Sequence, residues 1–229
     1  MYKLKQEVPV SHALDFADVS DALIHMERHA DQIQEISKNA TDNAAMVVSA
    51  ATDIDADIGS IISSYFFASQ NHSEEEYNRH CLFDELLIES TVMSYNTKRD
   101  ILLKILNVTS YCTGKKKANL QEDLKKIQEW RNAVAHGTFQ MMVKTFEVHL
   151  NYQSGGEKVL LLSDEFWMNV DQTIERTKST LSQIETCILK ERGCYQKTGD
   201  DPEFDKELEL EYQSINNQLT ERFDEGWKE

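Results

Sequence analysis

The chain has 229 residues, of which 40% are apolar, enough for one large domain with its own core or a domain plus an appendage. A formal charge of −16 argues against a protein that coats nucleic acid along its length. Only two prolines and eight glycines favour long helices over a turn-rich β-fold. Four scattered cysteines, with no CxxC and no paired histidine spacing, speak against a zinc site or a disulfide framework.

The first predicted helix runs from Asp15 to Asn39, with Phe16, Val19, Leu23, Met26, Ile33 and Ile36 at helical spacing. Asn39-Ala-Thr41-Asp42 offers a break and an N-cap for a second helix, whose Val47, Ala51, Ile54, Ile58, Ile61 and Tyr65 make one apolar stripe. The polar stretch Ser69 to Arg79 reads as a loop or a frayed helix start. A third helix covers Leu82 to Ser90, and Asn96 or Thr97 caps a fourth that carries Ile101, Leu102, Ile105, Leu106 and Val108. Lys115–Lys117 form the expected loop into a fifth helix, Asn119 to Ala135, stopped by Gly137.

After that helix the periodicity changes. Phe139 to Tyr152 is rich in β-formers, Ser154-Gly155-Gly156 is a turn and Val159 to Leu162 a short strand, which together predict a β-hairpin at about 139–162. Ser163 caps a last long helix reaching about Lys190. The expected organisation is an all-α bundle over 1–195 with that hairpin inserted after the fifth helix. Residues 196–229 are expected to form an acidic linker and an appended amphipathic C-terminal helix that docks on the body or on a protein partner, the alternative being a disordered acidic tail. No apolar run approaches the ~20 residues of a membrane span, and the opening MYKLKQEVPVSH lacks a signal peptide's apolar stretch. A cytoplasmic location without membrane attachment is the expectation.

Charge is unevenly distributed. Between Lys98 and Arg131 nine basic residues oppose four acidic ones, leaving this segment at +5 and the remainder at −21. Lys98, Arg99, Lys115, Lys116 and Lys117 are therefore candidate phosphate-binding residues, although a solvated helix face explains the same run.

One constellation stands out. Leu120, Leu124, Ile127 and Val134 define the apolar stripe of the fifth helix, and Arg131 occupies the next slot of that stripe. A buried arginine needs a carboxylate, a phosphate or a wet cleft, and Asp53 and Asp57, sharing a helix face, are candidate supporting carboxylates. Asn132 and His136 are four apart and share a face. Arg131 and His136 are about 140° apart around the axis at ~100° per residue, so they converge only with help from a second copy or a bent side chain.

The string Trp130-Arg131-Asn132-Ala133-Val134-Ala135-His136-Gly137 at a helix end resembles the Arg-x(4–6)-His motif of the HEPN superfamily. The upstream order, with Asp53-Ile54-Asp55, then Leu82-Phe83-Asp84-Glu85-Leu86, then Ser94-Tyr95-Asn96-Thr97-Lys98, and a hairpin after the motif, looks most like its mannitol-repressor-like bacterial branch. The resemblance covers about residues 15 to 190. It implies a homodimer through the motif helices and catalytic Arg131, Asn132 and His136. The implied activity is metal- and cofactor-independent endoribonuclease cleavage to 2′,3′-cyclic phosphate ends, in stress response, phage defence or a toxin–antitoxin pair. Thr138 stands where toxins with an adenylylating partner carry tyrosine. The alternative that the same resemblance leaves open is a non-catalytic regulatory or protein-interaction module.

Weaker patterns carry less. His25 and His29 have no third metal ligand nearby in sequence, Asp55 points away from Asp53 and Asp57 on a helix, and Gly114-Lys115 lacks the rest of a phosphate loop.

Overall fold

The computed structural model describes residues 10–13, 18–69 and 73–194. The elements in chain order are β1 (Val10–Ala13), α1 (Val19–Arg28), α2 (Ala30–Phe67), α3 (Glu74–Phe83) with a π-helical turn (Asp84–Ile88), and α4 (Tyr95–Val108). They continue with α5 (Gly114–His136), β2 (Thr138–Met142), β3 (Val148–Gln153), β4 (Glu157–Leu161) and α6 (Asp164–Glu191). The expected C-terminal helix of 196–229 lies outside the described residues.

The 38-residue α2 is the axis of the bundle, packing on α4, α5 and α6. Its Ile54, Ile58, Ile61 and Ile62 are enclosed by Leu102 and Leu106 of α4, Leu120, Leu124 and Ile127 of α5, and Leu181, Ile184 and Ile188 of α6. Each such side chain contributes roughly 1.5–3 kcal/mol when fully buried, and together they are the main source of stability. None of the described helices is long and apolar enough to cross a membrane.

The expected break at Asn39–Asp42 is absent. Ala40 and Ala44 are buried there, and the Thr41 hydroxyl donates to the Ser37 carbonyl at 2.9 Å, so its side chain is used inside the helix rather than as a cap. The break falls instead at His29, with φ −116° and ψ 21°. The expected inward face of α1 is met only in part: Met26 packs against the core, but Val19 and Leu23 are exposed and Ala22 is the buried residue.

Three further boundaries move. Ser73 and Glu76 form a capping box, so the polar stretch is helical from Glu74 onward. Ser94, not Asn96 or Thr97, caps α4 by accepting from the Thr97 N–H. Lys115–Lys117 are the first turn of α5 rather than a loop, where positive charge opposes the helix dipole.

The inserted element is larger than a hairpin. β2, β3 and β4 form an antiparallel meander, and β1 joins it in parallel to β2, giving the order β1-β2-β3-β4. Phe139, Met141, Val148 and Leu150 bury the inner face of the meander, following the period-two alternation of strands.

Candidate functional site

α5 delivers the motif to the junction between bundle and sheet. Gly137 ends the helix with its N–H on the Ala133 carbonyl at 2.7 Å. A Cβ at Gly137 would lie 2.3 Å from the Ala133 carbonyl oxygen and 2.6 Å from Leu150 Cδ1, so β3 packs against the helix end only because the position is glycine. Its φ is −86°, so space rather than backbone freedom selects the residue.

Arg131 does not occupy the packed stripe. Trp130 and Ala133 fill the slots beside Val134, and Arg131, Asn132 and His136 are all exposed. Trp130 goes inward because its ring finds Phe166 of α6 at 5.9 Å, edge to face, a contact that a guanidinium cannot replace. The Arg131 guanidinium reaches the neighbouring Asn132 side chain at 3.5 Å, and among the described residues it forms no ion pair. The proposed support from Asp53 and Asp57 is absent. Asp53 pairs with Lys178 of α6 at 3.1 Å. Burial pushes the Asp57 carboxyl above its ordinary value against the pull of Lys178, with Glu185 and Asp53 raising it further.

Asn132 opens onto a groove of about 330 Å³ formed where α4, α5 and the end of β3 meet. Arg99 and Lys125 line it from the two helices, and Tyr152, Gln153 and Ser154 close it from the sheet. The Arg99 guanidinium donates to Gln128 Oε1 at 3.2 Å, which holds it toward α5. Glu129 is taken up by Lys158 at 2.7 Å and by the Tyr152 hydroxyl at 3.2 Å. Those bonds hold the Glu129 carboxyl below its ordinary range, the Lys158 hydrogen bond being the largest cause. Arg99 is also paired with Asp100 at 3.0 Å, so with Glu129 taken up by Lys158 the positive excess of the groove beside Asn132 comes from Lys125.

The basic candidates therefore separate. Arg99 joins Asn132, whereas the preceding Lys98 points the other way, 5% exposed and bonded to Asp55 at 2.8 Å. Lys116 bonds Gln183 of α6, and Lys117 bonds the Leu106 carbonyl and Asn107. At ~1.5 Å rise per residue, Lys115–Lys117 lie roughly 20–25 Å along α5 from the motif. They belong to the opposite end of the helix.

Lys125, Gln128 and Tyr152 were not singled out in the sequence. The i, i+3, i+7 spacing of Lys125, Gln128 and Asn132 was available as a signal. The approach of Tyr152 was not, because it depends on how the sheet folds back on α5. The inward-facing arginine partner on α5 is also a different one: Arg176 of α6 grips buried Asp123 with two bonds of 2.8 Å. Among the described residues no group of three or more His, Cys, Asp or Glu side chains is placed to hold a metal ion.

No family model matches the chain, and neither a curated protein nor a solved structure matches it.

Proposed function

We propose that the protein is a HEPN-type, metal-independent endoribonuclease acting as a homodimer in the cytoplasm. The observation that carries this reading is the exposure of Arg131, Asn132 and His136 together at the end of α5, beside a groove lined by Arg99 and Lys125. Arg131 forms no ion pair with a carboxylate among the described residues, so no salt bridge within the bundle accounts for it.

The chemistry follows from the residue types. Arg131 binds the scissile phosphate with two parallel N–H donors and stabilises charge growing on its oxygens. The substrate's 2′-oxygen attacks phosphorus, the bond to the 5′-oxygen breaks, and His136 moves the proton from the 2′-hydroxyl to that leaving oxygen. The products are a 2′,3′-cyclic phosphate and a 5′-hydroxyl, so DNA is inert. Asn132 orients the phosphate, and Arg99 and Lys125 hold the flanking backbone. Within one chain Arg131 and His136 diverge by about 140°, so the arginine of one copy works with the histidine of the other. Stress response or phage defence is the setting we favour.

That same divergence also supports the second reading, a regulatory module that binds a protein partner and performs no chemistry. The deciding test is cleavage of mixed single-stranded and transfer RNA in EDTA by wild type, Arg131→Ala and His136→Ala. Activity that survives chelation, leaves cyclic phosphate ends and disappears in both variants supports the nuclease. A folded, dimeric wild type that cuts nothing refutes it and leaves the binding module.

A further inference from the structure

The end of the bundle opposite the motif is basic. It is built where α4 runs into α5 and where α6 finishes beside them. Lys116 of α5 donates to Gln183 of α6, and the Tyr111 hydroxyl, on the connection from α4, donates to Glu191. Lys115, Lys116 and Lys117 stand in the first turn of α5, which holds no acidic residue. Lys117 donates to the Leu106 carbonyl and to Asn107, and Arg192, at the end of α6, donates to the Tyr65 carbonyl at 2.7 Å. Those acceptors are all uncharged, and none of the four cations forms an ion pair among the described residues. Glu122, further along α5, is taken by Lys126 at 2.7 Å. Next to Asn107, Val108 ends α4 with 76% of its surface exposed.

The chain itself supplies the opposite charge. Its described part stops at this same end, where the Cys194 N–H closes on the Leu189 carbonyl at 2.8 Å. Residues 195–229 carry eleven acidic and four basic side chains. Their densest block, 200–211, has seven carboxylates and one lysine, interleaved with Phe204, Leu208 and Leu210. Asp200 is six residues past Cys194, a reach of about 20 Å in extended chain, enough to bring the block to the first turn of α5. An exposed ion pair is worth little alone. A tethered segment, however, meets its site at an effective concentration of roughly millimolar, so several weak pairs together hold it there. A free polyanion of the same sign has no such advantage.

We propose that residues 200–211 dock on this basic end of their own chain, with carboxylates on Lys115, Lys116 and Arg192 and an apolar side chain on Val108. The block occupies a positive surface that would otherwise attract polyanions, and it leaves the groove at Lys125 as the positive surface open to them. Residues 212–229 stay available to the partner expected for the tail. Docking is independent of the ribonuclease reading, because no motif residue takes part in it.

The test is zero-length carbodiimide coupling of the full-length chain at low salt, with the linked peptides read by mass spectrometry. Links from Lys115 or Lys116 to carboxylates of 200–211 are expected. They should form within one chain when isotope-labelled and unlabelled protein are mixed, and disappear at about 1 M salt, where the screening length is ~3 Å. A triple variant, Glu207→Gln with Glu209→Gln and Glu211→Gln, should cut the yield at the remaining acids of the block about fivefold, the scale of three exposed ion pairs. An unchanged yield would reduce the links to tethering alone and overturn the proposal. Links spread evenly over exposed Lys38 and Lys144 would do the same, as would links that join two chains or no link from Lys115 and Lys116 at all. Links to Lys125 would move the block to the motif groove and equally overturn it.

Discussion

Arg131 and His136 are the residues on which the proposed chemistry turns, and both project from the surface of α5 with no packing role. Truncating an exposed side chain outside buried networks usually changes stability by no more than about 0.5 kcal/mol, and His136, in the last turn of α5, adds at most about 1 kcal/mol through the helix dipole when protonated. Arg131→Ala and His136→Ala should therefore match wild type in urea denaturation while losing RNA cleavage. A loss of stability well beyond that margin would return Arg131 to the packed role its sequence position suggests. Glu129 supplies the pH-dependent part of the groove. Its carboxyl is held below the ordinary value of 4.5, chiefly by the Lys158 hydrogen bond. The unfolded chain therefore binds the proton more readily than the folded one. The associated stability is present above the ordinary carboxylate value and disappears as pH falls through the depressed folded value. Glu129→Gln should flatten the acid limb of a stability-versus-pH curve, and it should also flatten the alkaline limb, because Glu129 raises the Lys158 ammonium and adds to the rise of the Tyr152 hydroxyl.

The elements that place the motif are α5 and the meander that follows it. Gly137 is where they meet, and any side chain there collides with the Ala133 carbonyl, Leu150 and the Asn151 carbonyl. Two of those neighbours are backbone and cannot move aside cheaply. Gly137→Ala should cost about 1–3 kcal/mol, the range for overpacking, measured as a lower urea midpoint at unchanged slope. It should also reduce cleavage, since it separates Tyr152 and the groove from Asn132. The boundaries that sequence reading placed well were those with a strong local signal: the stripe of α2 from Val47 to Ile61, the Ser163 cap and the glycine stop of α5. Those it misplaced were decided by packing. Asn39–Asp42 has the composition of a break, yet the burial of Ala40 and Ala44 carries the helix through.

At the scale of the whole molecule, the proposed reading builds its site from two chains, because Arg131 and His136 point about 140° apart on α5. If the arginine of one copy serves the histidine of its partner, Arg131→Ala and His136→Ala chains should complement each other. Each is inactive alone, but a mixed dimer holds one intact composite site. Mixing the two under conditions that allow exchange should restore part of the cleavage, and light scattering should report a dimer throughout. Mixed dimers that form and stay inactive would place Arg131 and His136 in one site of one chain. The acidic segment 196–229 lies outside the described residues, and its expected protein partner is best sought by comparing binding of full-length and shortened chains.

Composition and periodicity by themselves determined a helical protein with a β insert after the fifth helix, because apolar spacing and caps are local quantities. Periodicity drew attention to Arg131 by placing it on the α5 stripe, where the structure does not put it, and the set Arg131, Asn132 and His136 came from a motif resemblance. Only the tertiary structure decided that Arg131 faces outward, since at ~100° per residue it lies nearer the centre of the Leu120–Leu124–Ile127–Val134 stripe than Trp130 does. The choice went to the indole that finds Phe166. Only the fold separated Arg99 from Lys98 and took Lys115–Lys117 to the far end of α5. Only the fold, too, brought Gln183 and Glu191 of α6 beside Lys116 and Tyr111. Those groupings join residues distant in sequence, and their cause is the packing of helices against one another, which no local pattern encodes.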